Sequence, residues 1–190
     1  MSRFVDRGAI IAAYVGIGMA VTIAVSFLLI IPIEWVVWVL TIPAGLLIGY
    51  YANQRSNRRA GPWGRILLNG LFAAFVTGLA TAAMLLLVKG LFFFADDGYR
   101  DAGQGGRIEC STGADCVYQR YLEAGRGPEL EAAGITDANA FMRFYWGEQF
   151  STAATIIVLT TLSGLGGAAL YGVTRPKPEA VVSGPESTPA

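Results

Sequence analysis

Four long uncharged stretches divide the chain, with the polar positions gathered into islands between them. The first stretch, Ala9 to Ile31, covers 23 positions, about 35 Å as a helix and enough to cross a hydrocarbon core of about 30 Å. Arg3 and Arg7 precede it, as in a secretory signal. The run exceeds the roughly 7–15 apolar residues of such a signal and shows no evident cleavage site, so an uncleaved anchor is expected. Pro32 and Ile33 turn before Glu34, and Trp35 to Tyr51 reads as a returning helix, with Trp35 and Trp38 at one interface and Tyr50 and Tyr51 at the other. Pro43 inside it removes a backbone donor and predicts a kink. Third and fourth spans are expected from Ile66 to about Val88 and from about Phe150 to Val173.

The predicted fold is therefore an all-α membrane protein, a four-transmembrane-helix bundle with a folded, partly helical extracytoplasmic loop between helices 3 and 4. Residues 1–94 hold the first three spans and a short basic loop at 53–65. Residues 95–149 form the outer loop, 150–174 the fourth span, and 175–190 a tail rich in Pro, Ser, Glu and Ala. That tail offers too little apolar area to offset chain entropy and is expected to be disordered.

Charge orients the bundle. The N-terminus, the 53–65 loop and the tail hold eight Arg and Lys, all near membrane ends, whereas the Glu34 turn holds none. The basic side is expected to be cytoplasmic. Residues 95–149 carry five Arg against ten Asp and Glu, and acids oppose translocation little, so this segment is placed outside. Both termini then lie in the cytoplasm, with the plasma (inner) membrane as the expected location.

Composition agrees: 54% of the 190 residues are hydrophobic and only 15% charged, too apolar for an ordinary water-soluble domain. Net charge is zero, so nothing points to nucleic acid. Twelve of the fourteen basic residues are Arg, a bias read as GC-rich, bacterial codon usage. Histidine is absent, which removes the commonest general base, zinc ligand and haem ligand, so no cofactor is expected.

The outer loop contains both cysteines, Cys110 and Cys116. In an oxidising compartment a disulfide is the expected state, stabilising the local turn by about 2 kcal/mol. Helical signals follow at Val117, Tyr118, Tyr121 and Leu122. Gly127 and Pro128 open a short segment that Gly134 closes, and Thr136 or Asp137 can cap another. That last segment carries Phe141, Phe144, Tyr145, Trp146 and Phe150, expected to lie partly on the outer surface as an anchoring aromatic belt. The acids Asp96, Asp97 and Asp101 lack the alternating ligand pattern of a calcium loop and read as solvated surface.

Small residues recur every fourth position in the spans, among them Gly16, Gly45, Gly49, Gly78 and Gly164. Such stripes let helix backbones approach where lipid supplies no hydrophobic drive. Whether they close one bundle or join copies stays open at this level. Two ionisable residues lie near the expected outer boundary, Glu34 and Lys89, and an ion pair between them is an expectation.

No charges line any span as a proton relay or voltage sensor would require. No phosphate-cradling loop or nucleophile with a recognisable base is present. The expected role is non-enzymatic: a subunit, scaffold or assembly factor working by contacts with lipid, a protein partner or its own copies. One alternative is small-solute permeation, motivated by Pro43 and by the hydroxyls Thr152, Thr155, Thr160, Thr161 and Ser163. The other is catalysis by the outer-loop carboxylates Glu109, Glu123 and Glu148, proposed by residue type only.

Overall fold

The computed structural model describes residues 5–30, 34–56, 61–94, 100–101, 106–107 and 113–174, with the side chains of 27–30, 34–38, 100–101 and 106–107 left out. Among the described residues six α-helices follow in chain order: α1 (Arg7–Ile30), α2 (Glu34–Arg55), α3 (Trp63–Phe94), α4 (Ala114–Tyr121), α5 (Gly127–Ala132) and α6 (Ala138–Thr174). A π-helical turn, Leu122–Arg126, joins α4 to α5. Apart from an antiparallel bridge between β1 (Arg100–Asp101) and β2 (Gly106–Arg107), the regular structure described is helical.

Among the described residues three stretches are long and apolar enough to cross a membrane: Arg7–Ser26, Trp63–Phe94 and Ala138–Thr174. The helix expected over 35–51 falls within α2, which continues through Pro43 to Arg55 and is not among those three. The long helices α1, α2, α3 and α6 pack against one another, α6 against α2 and α3, and α1 against α3 and α2. Their directions alternate. Gly8 of α1 meets Ser56 just after α2, and Gly172 of α6 meets Trp63 at the start of α3. The end of the bundle that carries the start of α1 thus also carries the end of α2, the start of α3 and the end of α6.

What distinguishes the inside of this bundle from its outside is size rather than polarity. In α1 the buried positions are Gly8, Ala9, Ala12, Ala13, Gly16, Ala20 and Ala24, while Tyr14, Val15, Val21 and Val25 are exposed. In α3 Gly70, Ala73, Ala74, Thr77, Gly78 and Ala82 face inward, and Leu67, Leu71, Phe75 and Leu79 face outward. A helix apolar all round is what a membrane span requires, since its outer face meets lipid.

Two helices are longer than predicted. The third was expected to end near Val88, yet α3 runs to Phe94, 32 residues or about 48 Å. A separate helix near 137 and a span from 150 were expected; instead α6 is one unbroken helix of 37 residues, about 56 Å. Its start is set by Asp137, whose Oδ1 accepts the backbone N–H of Asn139 and Ala140, each at 2.9 Å. Both helices exceed a bilayer core by several turns, and α4 and α5 pack on the projecting ends to make a cap.

Candidate functional site

Three places in the fold hold residues beyond plain helix packing: the glycine seams, a polar clasp at the basic end, and the cap at the other end.

In the seams, a Cβ added to Gly49 would run into the backbone of Gly164, and one on Gly45 into Ser163 and the Thr160 carbonyl, so α2 and α6 touch backbone to backbone. Gly78 faces Thr160 and Ile157 of α6, at 3.0 and 3.1 Å from a built Cβ. Gly164 faces Ala74, and Gly16 faces Thr77 across the α1–α3 contact. All five glycines singled out by spacing therefore sit between helices of the same chain. The hydroxyls among them are turned to their own helices. Thr77 donates to the Ala73 carbonyl, Thr81 to Thr77, Thr160 to Ile156, Thr161 to Ile157 and Ser163 to Thr160, at 2.6–3.0 Å. Thr155 donates to Ser151 in the same way, and both it and Thr152 are exposed.

At the basic end, Asn53 and Asn69 are completely buried. Asn53 Nδ2 donates to the carbonyls of Gly49 at 3.1 Å and Ile66 at 2.9 Å, tying the end of α2 to the first turn of α3. Asn69 Nδ2 donates to Asp6 Oδ2 at 2.7 Å, and the Asp6 N–H donates back to Asn69 Oδ1 at 3.1 Å, drawing in the start of α1. Three helix ends meet here. The sequence reading missed this clasp, although Asn69 is the single amide side chain within the expected third span.

At the opposite end, the cap has a core of Phe93, Leu130, Ile135, Phe141 and Tyr145, flanked by Val117, Tyr118 and Tyr121. Phe141 lies 4.9 Å from Tyr121 and 5.4 Å from Tyr118 between ring centroids, and Phe93 lies 5.0 Å from Tyr145. The expected anchoring belt is thus split. Phe141 and Tyr145 are buried in the cap, while Phe150 stays exposed and joins Phe94 and Trp146 in a ladder at 6.1 and 5.8 Å.

Backbone geometry holds the cap together. Gly113 donates to the Phe93 carbonyl at 3.0 Å, seating α4 on the end of α3. Gly134, at φ +71°, ends α5 with Ile135 N–H donating to Leu130 and Gly134 N–H to Glu131, while Leu130 and Ile135 are buried together. Arg126 lies 4.5 Å over the Tyr121 ring and 3.0 Å from Glu129. Partial burial opposes its charge, but Glu129 and Tyr121 outweigh this and raise its pKa.

The remaining expected residues divide between placed and undescribed. Cys116 is buried at the start of α4, and Cys110 lies outside the described residues. Lys89 is half-buried one turn before Phe93, while the Glu34 side chain is not described. Glu123 and Glu148 are exposed on different elements; Asp96, Asp97 and Glu109 are outside the described residues, as is the Asp101 side chain. Among the described residues no cluster of Cys, Asp and Glu is arranged to hold a metal. A cavity of about 580 Å³ opens sideways between α1 and α2, lined by Val15, Met19, Ile23, Leu40, Pro43 and Leu47 together with Gly18, Thr22 and Ala44. Compared with family models, characterised proteins and solved structures, the chain matches none.

Proposed function

We propose that this chain is a non-enzymatic, four-span protein of a bacterial inner membrane, both termini cytoplasmic, that serves as a subunit, scaffold or assembly factor through its outer cap. The observation that carries this reading is the contrast between a bundle whose seam hydroxyls, among the described residues, are turned to their own helices and a cap built on the helix extensions. The seam hydroxyls are bonded to their own helices, and the cavity beside Pro43 is apolar and open to the side. Transport through the bundle would need a polar cavity reaching the midplane.

The fourth span is α2: its 22 residues give about 33 Å, and it is packed among three helices of membrane-crossing length. Arg7, Arg55 and Arg65 cluster at one end, which supports placing that end in the cytoplasm. Cys116 pairs with Cys110 in the outer compartment; the absence of a free cysteine among the described residues supports this.

The test is a photocrosslinking amino acid placed at Leu122, exposed on the cap, and at Leu87, exposed along α3, in native membranes, with solute flux measured in proteoliposomes. A discrete protein adduct from position 122 and not from 87, with no flux, is the expected result. Flux without any adduct at 122 transfers the assignment to permeation.

A further inference from the structure

The basic end of the bundle has features that helix packing alone does not account for. Arg7 opens α1 and Arg55 closes α2, and both are exposed. They are neighbours in space, because Gly8 packs directly on the backbone of Arg55 and Ser56. Arg65 is half-buried one turn before Asn69 on α3, on the helix face that meets Asp6. The starts of α1 and α3 point their partial positive charge to this same end, and neither has an acid in its first turn. Asp6 is the single acid among the described residues here, and its carboxylate accepts Asn69 Nδ2. Trp63 lies at the same end of the bundle, 46% exposed, its ring edge against Gly172 of α6.

We propose that this rim is a binding site for the phosphate of an anionic phospholipid, with Arg7 and Arg55 as the principal cations and Arg65 and the two helix starts adding to the field, at the end of the bundle that also carries Trp63. Charge complementarity selects the ligand: the described rim carries three arginines against one acid, with Arg7 and Arg55 exposed. Arginine suits phosphate through its fork of donors. A tryptophan with one exposed edge is the residue type that settles at headgroup depth. The Asn53–Asn69–Asp6 clasp holds the three helix ends together, so the cations are presented as a group. The lipid thereby bridges α1 to α2.

The test uses the full chain in phosphatidylcholine nanodiscs, with Trp35, Trp38 and Trp146 replaced by Phe so that Trp63 is the sole reporter. Brominated phosphatidylglycerol is expected to quench Trp63 more than brominated phosphatidylcholine at the same fraction. Arg7→Gln and Arg55→Gln should each raise the phosphatidylglycerol needed for half-quenching about fivefold, whereas Arg126→Gln with Arg143→Gln at the cap should not. Equal quenching by both lipids, or equal loss from the cap pair, overturns the proposal. So does displacement of the lipid by glycerol phosphate at matching concentration, which would make the site one for a soluble phosphate compound. If the Gln pair loses its helical circular dichroism, Arg7→Lys with Arg55→Lys decides: retained preference supports the site and lost preference counts against it. The proposal rests on the bilayer reading. Flotation with vesicles reports that separately, and a chain that floats with neither lipid refutes both.

Discussion

Where α2 meets α6 the touching residues are Gly45, Gly49, Thr160 and Gly164, whereas in the cap the corresponding layer is Phe93, Tyr121, Phe141 and Tyr145. The two regions share α6 and, on the proposed membrane reading, differ in solvent. Within lipid, burying a large apolar side chain gains little, because the acyl chains it leaves are equally apolar, and close backbone contact does the work instead. Above the lipid, water makes ring burial favourable at roughly 1.5–3 kcal/mol per large side chain, and a core of aromatics becomes the stable choice. One helix therefore changes its packing rule along its length, from aromatic at Phe141 to glycine at Gly164.

That contrast is broken most severely by Gly49→Leu. The built Cβ already meets the Gly164 backbone, so a leucine should force α2 and α6 apart and abolish the cooperative thermal transition in detergent. Gly78→Leu, whose Cβ meets side-chain and backbone atoms at about 3 Å, should show the same direction with a smaller loss. Phe141→Ala should cost about 3–5 kcal/mol, confined to the cap. Hydrogen exchange is expected to rise over 114–141 while the seam amides around Gly164 keep their protection, and uniform loss across both regions would deny the division. Asn69→Ala removes both hydrogen bonds between Asn69 and Asp6 and should cost about 1–3 kcal/mol, read as a lower melting temperature and faster proteolysis near the N-terminus. Leu87→Ile on the exposed face should stay within about 0.5 kcal/mol. An effect from Leu87 as large as that from Gly78 would remove the distinction between seam and lipid face.

The seams were legible because they depend on size repeated every fourth residue, a local pattern, and Gly16, Gly45, Gly49, Gly78 and Gly164 all fall at helix contacts. The helix ends were less so. Arg143 and Glu148 look like the polar edge of a loop, but both are exposed on α6 and neither interrupts a helix. Gly147 between them is equally tolerated, with nothing near its Cβ position. The aromatic run misled for a related reason: Phe141 and Tyr145 sit four residues apart and turn toward α4, a direction that appears only once α4 is in place. The clasp was hidden by distance along the chain, since Asp6 and Asn69 are 63 positions apart and neither predicts the other locally.

Because α6 runs without a break from Asp137's cap to Thr174, the cap and the basic end share one rigid shaft. Inserting a single alanine after Glu148 would rotate everything on the cap side by about 100° and lift it by about 1.5 Å. Phe141 would then point away from α4 while the glycine contacts below remained in register. Compensation would have to come from α3, the other shaft, so matched insertions in both helices should turn the cap as a unit, and an insertion in one alone should wrench it apart.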